Sequence, residues 1–278
     1  MRDRLTRRGQ HAYKSSEQRA MSSCQVAPHK DFGTAGCSSL SASRARGVLA
    51  AALFLVAISA CAGQQDGSVV GAPRLATPRM AAAVGSVGGR IYVIGGVSRS
   101  GAVSNVSECD PLAGLCSEKA PLAAAVIGAS VADVAGLLYV TGGVDSHYVL
   151  DHLIVYTPLI NGWASKRPLP TPRWNHMSAA TGGQVYVFGG IAGTGAARRV
   201  LGDVWAYQPE GDQWEDLGAM PGPVQAAAVA VVNGKVYLIG GRTETQPTAT
   251  ASAASTAVYE FDAATRSWRT RRYRADAI

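Results

Sequence analysis

Four stretches of the chain share one pattern of apolar and polar positions: GGRIYVIGG at 88–96, AGLLYVTGG at 135–143, GGQVYVFGG at 182–190 and NGKVYLIGG at 233–241. Each opens on a turn dipeptide, runs through residues rich in β-branched and aromatic side chains, and stops at Gly-Gly. The pattern predicts a short strand packed on both faces and entered from a tight turn. A Tyr stands three residues before every glycine pair, and the pairs are 47, 47 and 51 residues apart. A fixed period of that length marks one unit of about four short strands, repeated.

A second spacing recurs with the first. After each of the last three glycine pairs comes a variable loop, then a short strand ending in an aromatic residue, then six residues, then Trp: Tyr156 to Trp163, Tyr207 to Trp214 and Phe261 to Trp268. Together these residues resemble the kelch repeat, whose copies form the blades of a β-propeller. The resemblance implies an all-β fold of four-stranded antiparallel blades, with repeats at 74–120, 121–167, 168–218 and 219–272. It makes the tyrosines, glycine pairs and aromatic pairs structural, filling the space between neighbouring blades. Four repeats either close a compact ring or leave an incomplete propeller whose edges pair elsewhere, and the second reading is favoured.

The first repeat departs from the pattern: its two aromatic positions are held by Cys109 and Cys116, at the same interval. Facing residues of a β-hairpin lie within disulfide reach, so a bond between them is expected. The other cysteines are Cys24, Cys37 and Cys61. None has the spacing of a zinc site or a redox motif, and neither a metal nor a cofactor is expected.

Upstream of the repeats, Arg44 and Arg46 precede fourteen uncharged residues, 47–60, and then Cys61. That is a signal-peptide core, too short to span a bilayer unaided. Ile58-Ser59-Ala60-Cys61 resembles the bacterial lipobox, which implies lipid attachment at Cys61, export, and a place in the bacterial cell envelope on the outer-membrane side. Residues 1–43 are polar and irregular and are read as an over-extended leader; 44–60 is the signal peptide, 61–73 the anchor and linker, and 273–278 a tail.

Composition narrows the classes further. Of 278 residues, 47% are hydrophobic, only 16% are charged and 32 are glycine, which excludes wholesale disorder and argues against a helical bundle. The net charge of +7 belongs mostly to the leader, since residues 1–60 carry nine Lys/Arg and three Asp/Glu. The repeats themselves are nearly neutral, and no nucleic-acid partner is expected.

Function is expected on the loops, since strand residues of a propeller are committed to packing. The loops after Gly-Gly and the connections between repeats share one face, where Arg79, Asp145 and His147 gather with Arg173, Trp174 and Asn175. His176, Arg242 and Glu244 complete this candidate ligand face. Arg79 and Arg173 hold the same repeat position, thirteen residues before the Tyr. The expected function is an exported, lipid-anchored binding or scaffolding surface for a protein or glycan. The alternative is a sugar epimerase or mutarotase resembling the periplasmic sialic acid epimerase. Resemblance to galactose oxidase fails on its copper ligands: outside the leader the histidines are His147, His152 and His176 alone, and the blade cysteines hold structural positions.

Overall fold

The computed structural model describes residues 73–243 and 254–271. Residues 1–72, with the leader, signal peptide and Cys61, lie outside the described residues, as do Glu244 and the tail. The first repeat folds as β1 (Ala83–Val87), β2 (Arg90–Ile94), a short hairpin β3 (Val97–Ser98) and β4 (Gly101–Ala102), then β5 (Val106–Asp110) and β6 (Leu115–Glu118). The second is β7 (Ser130–Val134), β8 (Leu137–Thr141), β9 (Leu153–Thr157) and β10 (Gly162–Lys166). The third is β11 (Met177–Thr181), β12 (Gln184–Phe188), a hairpin β13 (Ile191–Ala192) and β14 (Arg199–Val200), then β15 (Asp203–Gln208) and β16 (Gln213–Ala219). The fourth is β17 (Ala228–Val232), β18 (Lys235–Ile239), β19 (Val258–Asp262) and β20 (Ser267–Arg271). Each repeat is one antiparallel four-stranded blade, with strands in chain order once the loop hairpins are set aside.

Local chemistry explains the shape of each unit. The turn dipeptides before the Tyr strands put two successive residues at positive φ, for example +57° and +75° at Gly88-Gly89 and +51° and +75° at Asn233-Gly234. Two-residue turns of that kind match the natural twist of a hairpin, which is why Gly and Asn recur there. The aromatic pairs are cross-strand neighbours, Tyr156 opposite Trp163, Tyr207 opposite Trp214 and Phe261 opposite Trp268. Cys109 faces Cys116 in the same register, and the two form the expected disulfide.

The blades pack through three apolar cores. Tyr92, Ile94 and Val106 of the first blade meet Val131, Leu138 and Tyr156 of the second. Ala132, Tyr139 and Val155 of the second meet Val185, Val187 and Tyr207 of the third. Tyr186, Phe188 and Val204 of the third meet Val236, Leu238 and Phe261 of the fourth. In each case the aromatic pair reaches back: Tyr156 lies 5.7 Å from Tyr92, Tyr207 5.9 Å from Tyr139, and Phe261 5.6 Å from Phe188. Two tryptophans also fasten their blade to the preceding one, Trp163 Nε1 donating to the Ala120 carbonyl and Trp214 Nε1 to that of Arg167, each at 2.9 Å.

Two belts of backbone hydrogen bonds cross the same joints. In one, the N–H of Gly128 donates to Ala81, that of Asn175 to Gly128 and that of Ala226 to Asn175, at 2.8–3.0 Å. In the other, the second glycine of each pair donates to the following blade: Gly96 to Val126, Gly143 to Arg173 and Gly190 to Val224, at 2.7–3.0 Å. The first glycine of the pair makes room for that approach. A Cβ at Gly142 would stand 2.3 Å from the Arg173 carbonyl oxygen, and one at Gly189 2.3 Å from that of Val224. The Gly-Gly motif is therefore a consequence of how closely one blade's backbone approaches the next.

Candidate functional site

The loops after Gly-Gly and the connectors between blades meet as isolated bridges, Met80 with Val97, Ile127 with Val144, Trp174 with Ile191 and Gln225 with Arg242. This confirms that they share one face. Between the second and third blades the face holds a groove of about 370 Å³, lined by His147, Tyr148, Thr171, Thr194 and Arg199 among others. Asp145 holds the turn that forms one wall. Its Oδ1 accepts the N–H groups of His147 and Tyr148, both at 2.7 Å, and these bonds hold its carboxyl below the usual carboxylate range. The turn lifts Tyr148 into solvent, 69% exposed. The rings of His147 and Tyr148 lie 5.9 Å apart, and Ser146 Oγ shares a 2.7 Å hydrogen bond with His147 Nδ1. Across the groove Arg199 is exposed, while Arg198 stacks over Trp174 at 5.4 Å.

Two of the sequence-predicted ligand residues are turned inward. Arg173 is fully buried and grips Asp203 with both arms, Nη1 to Oδ1 at 3.0 Å and Nη2 to Oδ2 at 2.7 Å. It also donates to the carbonyls of Gly189 and Thr171. Its guanidinium is thus committed to joining the connector, the glycine pair and β15, the third strand of the blade, and it is removed from the ligand face. His176 is buried too, its Nε2 2.7 Å from Thr141 Oγ1, which in turn bonds Ser178 Oγ at 3.0 Å. Trp174 and Asn175 are half-buried, and Asn175 Nδ2 donates to Gln225 Oε1 at 3.4 Å. Arg79, the first-blade counterpart of Arg173, donates to the Val93 carbonyl at 2.8 Å and to Ser107 Oγ at 2.9 Å. Arg242 is half-buried and its backbone exchanges two bonds with Gln225. The structure therefore gathers Asp145 and His147 with Tyr148, Thr171, Thr194 and Arg199, and assigns Arg173, His176 and Arg79 to packing.

Burial of His176 has a pH consequence. Desolvation, with the Arg173 charge and then His152 adding to it, depresses the imidazole to about 3. The unfolded imidazole titrates near about 6.5, so between these values the unfolded chain takes up a proton that the native state refuses. The contribution is full above the unfolded value and declines in acid, by about 2 kcal/mol between about pH 7 and pH 5. Urea unfolding at the two pH values measures the loss, and His176→Asn should flatten the dependence.

No group of three or more His, Cys, Asp or Glu among the described residues is placed to hold a metal ion. The groove presents aromatic, hydroxyl, imidazole and guanidinium groups around an open floor. Such a set recognises a surface or a polar ligand through stacking and hydrogen bonds.

Blades of four antiparallel strands joined around a common loop face define a β-propeller built from kelch-type repeats. The KLHDC2/KLHL20/DRC7 Kelch-repeats domain matches residues 113–276, more than half of the chain, and the Kelch motif matches residues 78–121. The chain belongs to the kelch-repeat family. It is similar to beta-scruin of Limulus polyphemus, 32% identical over 69 residues, which cover 25% of this chain and 8% of that protein. It is also similar to Kelch-like protein 35 of Mus musculus, 36% identical over 45 residues, covering 16% of this chain and 8% of that protein. The matched regions are thus a small part of either relative. Among solved structures, that titled "Structure of YjhT" superposes with a TM-score of 0.62 at 19% identity, covering 74% of this chain and 69% of that one.

Proposed function

We propose that this is an exported, lipid-anchored protein of the bacterial cell envelope that binds a protein or glycan partner on its loop face. The observation that carries the reading is the groove between the second and third blades, where Tyr148 stands 69% exposed beside His147 and opposite Arg199. A large aromatic held out in solvent by a carboxylate-capped turn is the kind of anchor around which interfaces concentrate their energy. The Cys109–Cys116 disulfide favours an oxidising compartment, in keeping with the signal peptide and lipobox expected from the sequence.

An array of acidic and neutral oligosaccharides, together with envelope proteins captured in membrane extracts, tests the surface. Tyr148→Ala and Arg199→Ala should each weaken the selected ligand by about tenfold or more, with unchanged thermal stability. Equal binding by both variants and wild type would sink the groove. Turnover of a free sugar by the wild type, lost in Arg199→Ala, would replace binding with the epimerase reading. For the anchor, Cys61→Ser should move the protein from the membrane to the soluble fraction; retention on the membrane would remove the lipobox assignment.

A further inference from the structure

The three joints between blades are built from the same parts, and among the described residues the two ends of the array carry those parts without a counterpart. On the first blade, Val84 is 60% exposed, whereas Val131 at the same repeat position in the second blade is buried against the first. On the fourth blade, Val232 is 52% and Ile239 46% exposed; Ile94 and Phe188, the counterparts of Ile239, are 1% and 0% exposed. The backbone belts stop at the same places. Among the described residues the Ala81 N–H and the Arg79 carbonyl of the first blade have no backbone partner, nor do the Ala226 carbonyl and Gly241 N–H of the fourth. The space that the glycine pair reserves is also open there. A Cβ at Gly240 would meet nothing nearer than the Ser255 carbonyl oxygen at 3.6 Å, where the equivalent atom at Gly142 or Gly189 would strike the next blade at 2.3 Å.

The two ends are matching halves of one joint. Within each joint, the following blade gives the N–H of the first belt and the carbonyl of the second, and the preceding blade gives the converse pair. The first blade offers the Ala81 N–H and Arg79 carbonyl; the fourth offers the Ala226 carbonyl and Gly241 N–H. Each face sets its charges beside an apolar inner part: on the fourth blade Glu260 is paired with Lys235 at 3.1 Å and Arg271 at 2.7 Å, and Lys235 also with Asp262 at 3.3 Å, while on the first blade Glu118 accepts from Ser107 Oγ at 2.6 Å, which in turn accepts from Arg79. We infer that these end faces form a head-to-tail interface between copies of this chain, the fourth blade of one copy seating against the first blade of the next. The occupant is a second copy because the missing donors, acceptors and apolar side chains of each end are those carried by the other end. The described blades of two copies number eight, within the usual range of closed propellers. A contact of this heterologous type closes into a ring when its rotation permits and otherwise extends as a filament. The inference does not depend on what the loop face binds.

Sedimentation of the full chain in mild detergent, over a wide concentration range under oxidising conditions, tests it. The wild type should sediment as two copies, or as a concentration-dependent series of larger multiples. Val84→Asp and Val232→Asp, each at a side chain exposed in the single chain, should weaken association about 100-fold with an unchanged thermal melt. An equimolar mixture of the two variants should regain dimers, because the intact fourth blade of one still meets the intact first blade of the other. A wild type that stays a single copy throughout overturns the inference, as would association indifferent to both substitutions. Loss in Val232→Asp alone would mean that fourth blades meet one another, and would overturn it equally.

Discussion

Arg173→Met lowers the free energy of unfolding by about 3–5 kcal/mol, the cost typical of removing one partner from a buried ion pair. The substitution keeps much of the side chain's length but strips Asp203 of both guanidinium bonds and leaves the Gly189 and Thr171 carbonyls short of a donor. Burial pushes the Asp203 carboxyl up, yet the hydrogen bonds and charge of Arg173, with help from Trp205, hold it below its ordinary value. A carboxyl depressed in the folded state stabilises above its unfolded pKa of about 3.9, and that contribution is lost as the pH falls through the lower folded value. Urea denaturation of the single variant measures the loss. Arg173→Met/Asp203→Leu should recover most of it, since removing both charges leaves no buried ion unpaired. A change below 1 kcal/mol, roughly the range of exposed pairs, would show that the pair is solvated in solution.

Removing the disulfide, by reduction or as Cys109→Ala/Cys116→Ala, lowers stability by about 2.5 kcal/mol, from the loop-closure entropy that so short a loop returns to the unfolded chain. The bond stands where the other blades have aromatic pairs that reach back to a preceding blade, and where Trp163 and Trp214 fasten their outer hairpins to a neighbour's carbonyl. Among the described residues the first blade has no neighbour on that side. A covalent link between facing strands holds the outer hairpin of that blade without one. Calorimetry with and without reductant reads the difference; equal melting in both conditions would show that the bond contributes nothing to the native state.

The blades were legible because backbone geometry demands particular residues. The double glycine answers to a carbonyl that approaches to within contact, the turn dipeptides to positive φ, and the aromatic pairs to a fixed cross-strand register. Each requirement leaves a mark at a set spacing. The cysteine pair was legible for the same reason, as a substitution at two known positions. The candidate site was legible only in part. The segment Pro172 to His176 has the same letters whether its arginine faces a ligand or a carboxylate, and Asp203 stands 30 residues further on, beyond a loop of variable length. The thirteen-residue spacing to the Tyr identified Arg173 as a repeat position, yet its burial depends on which way the connector turns. Thr194, which lines the groove, carries no periodic signal, and Thr171 shares its repeat position with Thr77 without any mark of the groove beside it. The count of four repeats pointed to open edges, but which side chains stand exposed there could not be read: Val84 and Ile239 follow the same strand pattern as their buried counterparts, and exposure belongs to the assembly rather than to the strand.

The belts of backbone bonds bear on how such a protein can change over generations. The first belt asks its residues for a positive φ rather than for a particular side chain, as its occupants show: Ala81, Gly128, Asn175 and Ala226, at +50° to +64°. Mutations in the loops can therefore accumulate without loosening neighbouring blades. The loop of the first repeat is a short serine-bearing hairpin, that of the second a carboxylate-capped turn with His and Tyr, and that of the third a longer excursion with paired arginines. Three different chemistries have been written onto one frame, and a new ligand could be acquired by rewriting a loop while the frame stays as it is.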